Sequence, residues 1–563
     1  MAGFVQAIGL DLDGTLAEGS LLSTEAMAAT AAVRERGIAA VLVTGRILCE
    51  LQQEFPDLES RFDAVVAENG AVLSWEAAVH DLAAPVDEAL VEALTAEGEV
   101  PVRRGRVILA CEAEDFDAVM GHIERLGLDC QLLRNRHALM VLPAGVSKGT
   151  GLLAALVKLG ISPHNTIAIG DAENDLAVLE TAEVGVAVAN AVSSLKRHAD
   201  LVLTESDGRG VAAFLTGPVV SGEQSVRPQR RRITIGQFDD GDRATVPGAQ
   251  ANILISGDTG SGKSYLAGLL VERWVESGYA VLVIDMEGDY ISLGQLPDIV
   301  VLATNALPTA RGLSALLAHP AKSVVLDLSN LNGSEKSAYL TSLQPVLETE
   351  RAANGVPHWI VVEEAHTSLG PGGVGARVFR PGDLGYCLVT YRPDELAAGT
   401  RAAIDITLNV TGAPPAAGRG PAIGSTALYC QAGTTPRMVT LAQRQTPHRR
   451  HWHKYVAEPL PAQLWFQFCH PDGRIVGTAK NIAEFDTLLK LVDPAVIVNH
   501  LLRGDFSRWL SGAIQDRDLA AVAAATERDF IGHRTAEVRR ARDHLRTTIE
   551  TRYHPPDVPP RKR

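Results

Sequence analysis

Short apolar runs that end in polar or acidic residues recur along the chain, and longer amphipathic stretches separate them. The clearest runs lie within 4–10, 38–46, 165–176, 251–256, 280–290, 358–366 and 386–396. Runs of this kind are typical of strands buried on both faces of a parallel sheet. Because such sheets bind ligands at the carboxyl ends of their strands, the pattern predicts an α/β protein whose site residues directly follow strands.

The strand ends in the first 215 residues carry oxygen-bearing side chains and one cation. In chain order these are Asp11, Asp13, Thr44, Lys148 near a helix start, Asp171, Asn174 and Asp175. Carboxylate oxygens are hard ligands for Mg²⁺, and a further carboxylate can act as a nucleophile. We expect Asp11 to attack phosphorus and Asp13 to transfer the proton of the leaving oxygen. The Thr44 hydroxyl and Lys148 are expected to hold the phosphate oxygens, so the set predicts phosphoryl transfer.

Four motifs carry these residues in order: DLDGTL (11–16), VLVTGR (41–46), SKG (147–149) and GDAENDL (170–176). They resemble the haloacid dehalogenase superfamily, and VAENGAVL (66–73) and VGVAVANA (184–191) resemble its subclass IIB, which includes phosphoglycolate and sugar-phosphate phosphatases. The resemblance covers about residues 4–215 and implies a Rossmann-like core. It also implies a Mg²⁺ site formed by Asp11, the backbone carbonyl of Asp13 and Asp171, with Asn174 and Asp175 as further metal-site residues.

The segment between the second and third motifs matches the place where this subclass carries its cap. We therefore expect a hydrolase core in 1–79 and 145–215 and a small α+β cap of αββαββ order in 80–144. A cap of this size covers small substrates, so we expect the substrate to be a small phosphorylated metabolite. Five arginines of the cap have two interpretations, contact with a second anionic group of the substrate or a solvated surface. They are Arg103, Arg104, Arg106, Arg134 and Arg136.

A linker is predicted at 216–232, where Gly, Pro, Ser and a solvated basic run replace the periodic pattern. After it, a strand, the loop GDTGSGKS (257–264) and an amphipathic helix follow in the order of a phosphate-binding loop. Its backbone N–H groups are expected to face a triphosphate, Lys263 to contact the β- and γ-phosphates, and Ser264 to contact Mg²⁺. The ATP-binding residues predicted in this loop are Gly257, Thr259, Gly260, Ser261, Gly262, Lys263 and Ser264.

The run 358–366 ends in Glu363 and Glu364, a Walker B pattern. We expect Glu363 to hold Mg²⁺ through water and Glu364 to polarise the attacking water. With DMEGDY (285–290) and VTYRPDEL (389–396), these motifs resemble the HerA/FtsK branch of P-loop ATPases over about residues 233–445, which implies a RecA-like domain and a hexameric ring that translocates DNA. Tyr391 departs from the usual Gln of that family, and a phenol does not reproduce the paired donor and acceptor of an amide.

Residues 446–563 predict a mainly helical module with a disordered, Pro-rich and basic tail. Asn481 with Glu484, and Asp493 with Pro494, are helix-start signals. The histidines of TPHRRHWHKY (446–455) have two interpretations, a metal site or a surface loop, and lack a Cys or carboxylate to complete a metal set.

The amino-acid composition and net charge narrow the classes of possible binding partner. The chain is 46% hydrophobic and 21% charged, which is ordinary for soluble α/β domains. A formal net charge of −15 does not favour nucleic acid as a partner, although a local basic channel inside an oligomer stays open. The six cysteines are scattered and fit a reducing compartment. Since no apolar run reaches about 18 residues, we expect a cytoplasmic protein with no membrane partner.

Three functions follow from these motifs. The first is a bifunctional protein, a Mg²⁺-dependent phosphomonoesterase fused to an ATP-hydrolysing HerA/FtsK-like domain. The second is a nucleic-acid end-processing phosphatase and kinase, or a DNA translocase. The third makes the P-loop half a nucleotide-responsive assembly module that regulates the phosphatase.

Overall fold

The computed structural model of the chain describes residues 3–18, 21–96, 100–135, 138–258, 261–369, 379, 382–411, 426–446, 460, 462–514, 516–532 and 538–553. Two large sheets, of eight and eleven strands, organise the described residues. Both contain parallel strands joined by helices, so the predicted α/β class is confirmed.

The first 221 residues form the eight-stranded sheet and a smaller four-stranded one. Their elements are β1 (Ala7–Asp11), β2 (Ala17–Glu18), β3 (Leu21–Leu22), α1 (Thr24–Glu35), β4 (Ala39–Val43), α2 (Leu48–Glu54), β5 (Ala64–Ala67), β6 (Val72–Trp75), β7 (Ala78–Asp81), α3 (Glu88–Ala96), β8 (Arg103–Arg104), β9 (Leu109–Glu112), α4 (Phe116–Leu126), β10 (Cys130–Asn135), β11 (Ala138–Pro143), α5 (Lys148–Leu159), β12 (Thr166–Gly170), α6 (Leu176–Thr181), β13 (Val184–Ala187), α7 (Ser193–His198), β14 (Leu201–Val202), α8 (Asp207–Leu215) and α9 (Pro218–Ser221).

The large sheet of this part has the order β14-β13-β12-β1-β4-β5-β6-β7. Strands β14 to β5 of that order are parallel, and β6 and β7 add antiparallel strands at one edge. Strand β1 lies between β12 and β4 and is buried along its whole length, which explains its continuous apolar sequence. The carboxyl ends of these three central strands therefore lie side by side.

The smaller sheet, of order β10-β11-β9-β8, belongs to the segment predicted as a cap. Its elements follow the predicted order α, β, β, α, β, β from α3 to β11. Leu90, Leu94, Val119, Leu139 and Val141 are part of a hydrophobic cluster separate from that of the large sheet. The cap thus has its own small core.

Residues 233–441 form the eleven-stranded sheet. Its elements are β15 (Ile233–Phe238), β16 (Arg243–Val246), β17 (Asn252–Ser256), α10 (Lys263–Glu276), β18 (Val281–Asp285), β19 (Ile299–Leu302), α11 (Ala310–Leu317), β20 (Ser323–Asp327), α12 (Gly333–Asn354), β21 (Trp359–Val362), α13 (Ala365–Leu369), β22 (Tyr386–Val389), α14 (Ala398–Ala402), β23 (Ile406–Val410), β24 (Thr426–Gln431) and β25 (Arg437–Leu441).

The strand order is β16-β15-β25-β24-β23-β17-β22-β21-β18-β20-β19, with parallel pairing from β23 to β19. Strand β22 separates β17, which precedes the phosphate-binding loop, from β21, which precedes the Walker B pattern. This is the predicted RecA-like arrangement. The hairpin β15–β16 extends the antiparallel edge of this sheet through the pairing of β15 with β25.

The two large sheets contact each other through the amino ends of their parallel strands. The His358 Nε2, just before β21, donates to the Oδ1 of Asn165, just before β12, at 3.0 Å. The ring of His164 stacks on that of Tyr279 at a centroid distance of 3.8 Å, and its Nε2 donates to the carbonyl oxygen of Ser277 at 2.8 Å. The carboxyl ends of both sets of strands therefore point away from this contact.

The basic run of the predicted linker is not simply solvated. The Arg230 Nη2 donates to the carbonyl oxygens of Ala182 and Glu183, each at 2.9 Å, and pairs with Asp200 at 2.8 Å. The Arg231 Nη2 donates to the Ala182 carbonyl at 2.7 Å, and burial lowers the pKa of Arg231 below its ordinary value. The expectation of solvated arginines is wrong at these two positions, because they bind carbonyls left open after α6.

The C-terminal part contains β26 (Phe466–Cys469), β27 (Ile475–Ala479), α15 (Ile482–Leu491), α16 (Pro494–Arg503), α17 (Asp505–Gly512), α18 (Arg517–Gly532) and α19 (Val538–Tyr553). It is mainly helical, as predicted, and adds a two-stranded sheet that the sequence did not predict. The Asn481 side chain caps α15 and the Asp493 side chain caps α16, as predicted. His448, His451 and His453 lie outside the described residues.

Across the described ranges, the helices are all too short or too polar to cross a lipid bilayer.

Candidate active sites

Asp11, Lys148 and Asp175 form a buried network at the carboxyl edge of the first sheet. The Lys148 Nζ donates to the Oδ1 of Asp11 at 2.6 Å and to the Oδ1 of Asp175 at 2.7 Å. Lys148 is the first residue of α5, whose start is capped by the Ser147 side chain. The Asp175 Oδ2 accepts from the backbone N–H groups of Asp171 and Ala172, each at 3.0 Å. The network fixes one ammonium between two carboxylates.

The residues present fit a divalent cation. Asp11, Asp171 and Asp175 are buried, and each offers one carboxylate oxygen within 4.8 Å of the others. The buried Oδ1 of Asn174 accepts no hydrogen bond from the described residues. Burial raises the pKa of Asp11 well above its ordinary value, and the charge of Asp175 raises it further. A crowded, buried carboxylate set with an open amide oxygen is the chemistry that Mg²⁺ binding stabilises.

Asp13 lies outside this buried network. Its carboxylate accepts from the Nη2 of Arg46 at 2.6 Å and from the Nε at 3.0 Å, and its side chain is 39% exposed. Arg46 also pairs with Glu54. Thr44 is fully buried at the end of β4, and its Oγ1 accepts from the backbone N–H of Arg46 at 3.2 Å. The loop after β4 thus orients Asp13 through Arg46, the last residue of the motif VLVTGR, for which the sequence indicates no role.

Glu68 and Asn69 are further polar residues near this site, and the sequence alone did not indicate a role for them. Glu68 is fully buried, and its carboxylate accepts from the backbone N–H groups of 106–108 in the cap. The Asn69 Oδ1 accepts from the Nδ2 of Asn174 at 3.2 Å. The sequence signal was a Glu-Asn pair inside the apolar segment VAENGAVL, but its partners are distant in the chain.

The cap arginines divide between surface ion pairs and one ring contact. Arg103 pairs with Glu50, Arg104 with Glu88 and Arg106 with Asp81, all with half-exposed arginine side chains. The Arg134 guanidinium lies 4.1 Å from the centre of the Phe116 ring. Arg136 lies outside the described residues. These contacts favour the surface interpretation for the four arginines described.

The second candidate site lies at the carboxyl edge of the eleven-stranded sheet. Gly257 and Gly262 have φ values of 142° and 111°, which favour glycine. Lys263 begins α10, and its Nζ donates to the Asp258 carbonyl oxygen at 2.9 Å. The Ser261 Oγ is buried and has no hydrogen-bond partner among the described residues, while Thr259 and Gly260 lie outside them.

Glu363 contacts the phosphate-binding loop directly. The Ser264 Oγ donates to the Oε1 of Glu363 at 2.8 Å, so the two residues predicted near Mg²⁺ are adjacent. Asp285, at the end of the neighbouring β18, accepts backbone N–H groups from 287–290 through its two oxygens. Burial and the charge of Asp289 raise the pKa of Asp285 to about 7. A hydroxyl and two buried carboxylates therefore converge where a nucleotide-bound Mg²⁺ fits.

Glu364 is buried and has a φ of 47°, an uncommon value for a residue with a side chain. Its Oε2 lies 3.4 Å from the Nδ1 of His366. The ring of Tyr391 lies edge-on to that of His366 at 4.8 Å and faces the ammonium of Lys263 at 5.8 Å. The aromatic ring of Tyr391 thus faces Lys263, the residue predicted to bind phosphate, where the related family has an amide side chain.

Comparisons with known proteins match a different protein family to each of the two parts of the chain that hold a candidate site. A family described as haloacid dehalogenase-like hydrolase matches residues 8–96 and 106–215, and one described as the central domain of the helicase HerA matches residues 249–367. The phosphoglycolate phosphatase of Archaeoglobus fulgidus is 34% identical over 215 residues, which are 37% of this chain and 95% of that protein. That of Methanothermobacter thermautotrophicus is 34% identical over 214 residues, 37% of this chain and 96% of that protein.

Among solved structures, a haloacid dehalogenase-like hydrolase from Bacteroides thetaiotaomicron is 22% identical in sequence, with a TM-score of 0.33. The match covers 38% of this chain and 98% of the chain of that hydrolase.

Proposed function

The chain belongs to the haloacid dehalogenase-like hydrolase family, and from this premise we propose that its first 215 residues form a Mg²⁺-dependent phosphomonoesterase. The observation that carries the proposal is the buried network in which Lys148 holds Asp11 and Asp175. Bound Mg²⁺ supplies positive charge that offsets the crowded carboxylates and the phosphate oxygens. Asp11, Asp171, Asp175 and Asn174 are the residues proposed to hold it.

The proposed reaction has two steps. A carboxylate oxygen of Asp11 forms a bond to phosphorus while the bond from phosphorus to the ester oxygen breaks, and Asp13 gives that oxygen its proton. Water then attacks the aspartyl phosphate and transfers a proton to Asp13, which releases inorganic phosphate and restores Asp11. Lys148 and the Thr44 hydroxyl stabilise the charge on the phosphate oxygens, and Arg46 orients Asp13.

We propose a small phosphorylated metabolite as the substrate. The cap contacts the core through the backbone of 106–108, and Asn69 contacts both Met140 of the cap and Asn174 beside the carboxylate cluster. A cap held this close to the site favours a small substrate over a polymer. The two relatives described above are named phosphoglycolate phosphatases. Phosphoglycolate is therefore the first compound to test within a panel of small phosphate esters.

Asp11→Asn tests the phosphatase. We expect it to lower the rate of phosphoglycolate hydrolysis by at least about 1,000-fold, because the amide is a poor nucleophile, and to leave ATP turnover unchanged. Asp57→Asn changes an exposed carboxylate and serves as the matched control. Full phosphatase activity in Asp11→Asn would exclude the proposed nucleophile.

For residues 233–445 we propose ATP binding and hydrolysis by a HerA-like domain. The proposal is supported by the contact between Ser264 and Glu363, which joins the two halves of a nucleotide site. Lys263 is proposed to bind the phosphates, Glu363 to hold Mg²⁺ and Glu364 to polarise water. Association into a ring remains part of this proposal.

Lys263→Ala tests the nucleotide site. ATP turnover should fall to background while phosphoglycolate hydrolysis is retained, and Lys322→Ala, at an exposed position, should change neither activity. Loss of both activities in Lys263→Ala would contradict two independent sites.

A second candidate role for this half is nucleotide-dependent assembly without DNA movement. The contact of Lys263 with an aromatic ring at Tyr391 favours it, because hydrolysis then lacks the amide sensor of the family. Native mass measured with and without ATP, together with ATP turnover measured with and without DNA, separates the two roles. Stimulation by DNA supports the translocase.

A further inference from the structure

The 3-10 turn Glu68–Gly70 follows β5 and contacts both the cap and the catalytic loops. We propose that Glu68 is a positioning residue, which fixes the cap over Asp11 and so restricts the phosphatase to small substrates. This inference rests on the proposed phosphatase function and names the element that sets its substrate size.

The first support is the number of contacts that one carboxylate makes. The Glu68 Oε1 accepts from the N–H of Arg106 at 2.9 Å, and the Oε2 accepts from those of Val107 at 2.9 Å and Ile108 at 3.2 Å. Glu68 is 0% exposed, so these N–H groups replace water around its charge. A buried carboxylate without such donors is strongly unfavourable, and the cap therefore cannot leave Glu68 freely.

The second support is the place of these donors in the cap. The side chains of Val107 and Ile108 pack in the hydrophobic cluster of the large sheet, whereas Leu109 packs in the separate cluster of the cap. The turn between β8 and β9 of the cap therefore packs against the core at the residues that Glu68 binds. Gly105 allows this approach, because a Cβ there would lie 2.5 Å from the Glu68 Oε2.

The third support is that the same turn contacts the catalytic loops. Asn69 donates its Nδ2 to the Met140 sulfur in the cap and accepts from Asn174 at 3.2 Å. Gly70 packs so closely on the backbone of Ser147, next to Lys148, that a Cβ would overlap the Ser147 carbonyl oxygen. The three residues have φ values of 54°, 53° and 99°. The turn therefore contacts the cap, the residue before Lys148, and Asn174 in the loop after β12, so a shift of the cap would disturb the positions of these groups.

The test replaces the carboxylate by an amide. In Glu68→Gln the side chain keeps one acceptor oxygen and presents an N–H₂ group to backbone donors, so it cannot satisfy all three. Asp81→Asn is the matched control, because Asp81 pairs with the exposed side chain of Arg106 at 2.7 Å and not with its backbone. Gly105→Ala is a second variant. Residue 68 remains Glu in this variant, but the added Cβ pushes its carboxylate away from the backbone N–H groups.

Hydrolysis is measured on phosphoglycolate and on the bulkier p-nitrophenyl phosphate. We expect kcat/KM for phosphoglycolate to fall about 10-fold or more in Glu68→Gln and Gly105→Ala, while that for p-nitrophenyl phosphate stays equal or rises. Asp81→Asn should keep the wild-type ratio. A merely structural role would lower both values by the same factor. That result, or wild-type values for both esters, would overturn the proposal.

Hydrogen exchange of the backbone amides of 106–108 gives a readout independent of catalysis. These amides should exchange slowly in the wild-type protein and in Asp81→Asn, and at least about 10-fold faster in Glu68→Gln. Equal protection in Glu68→Gln would overturn the positioning role. If the wild-type protein hydrolyses neither ester, the proposed function fails, and the exchange measurement still decides whether Glu68 holds the cap.

Discussion

Lys148 illustrates how single residues balance charge in the first site. Burial alone would lower its pKa, but the charges of Asp11 and Asp175 raise it above its ordinary value. The same burial raises the pKa of Asp11. One ammonium therefore faces two bonded carboxylates, with Asp171 nearby. Negative charge exceeds positive charge in this cluster, and a bound cation would offset the difference.

Lys148→Met should destabilise the protein by about 3 kcal/mol in the absence of Mg²⁺, because it leaves two carboxylates buried without their ammonium. Addition of Mg²⁺ should restore part of this loss, and phosphatase activity should remain low. Denaturant unfolding with and without Mg²⁺ measures both effects. Lys158→Met, at an exposed position on the same helix α5, is the control. Equal stability of the two variants would contradict this account.

At the scale of elements, the arginines of 230–231 attach the linker to the first domain. Helix α6 and the turn after it leave carbonyl oxygens that have no partner within the helix, and two guanidinium groups bind them. Asp200 adds a carboxylate for Arg230. The linker is therefore a fixed connection at this point and not a free tether.

Arg230→Ala should lower the free energy of unfolding of the first domain by about 1–3 kcal/mol, since the carbonyl oxygens and Asp200 lose a charged donor. Thermal unfolding measures the change. Arg209→Ala, on the exposed face of α8, should shift the unfolding temperature little. An unchanged temperature in Arg230→Ala would show that solvent replaces these contacts without cost.

The strands and their end residues were predictable because they depend on local patterns. Continuous apolar runs gave the parallel strands, and Asp11 and Glu363 lie at strand ends as expected. The partners of buried charges were not predictable in the same way. Glu68 binds amides 38 to 40 residues away in sequence, and Arg230 binds carbonyls 47 and 48 residues away. Backbone groups have no sequence signature, so such contacts become visible only in the fold.

At the scale of the whole molecule, His358 lies fully buried where the two large sheets meet. Its Nδ1 accepts from the N–H of Ala280 at 2.8 Å, which requires that nitrogen to be unprotonated. Burial, together with the charges of His164 and Arg351, lowers the pKa of His358 well below its ordinary value. The neutral ring is therefore part of the contact between the two halves.

This contact should weaken in acid. Above about pH 6.5 the contribution of neutral His358 to stability is fully present, because folded and unfolded states both carry an uncharged ring. As the pH falls below that value, the unfolded chain binds a proton that the folded protein excludes, and stability is lost at up to about 1.4 kcal/mol per pH unit. Unfolding measured between pH 8 and pH 5 should show a flatter profile for His358→Gln than for His319→Gln, a change at an exposed position. Parallel profiles would contradict the assignment.

Because the two large sheets meet at the amino ends of their strands, the two candidate sites of one chain face in opposite directions. A compound released at one candidate site would therefore reach the other through solvent, and not through a shared cavity. A large partner bound to one face leaves the other open.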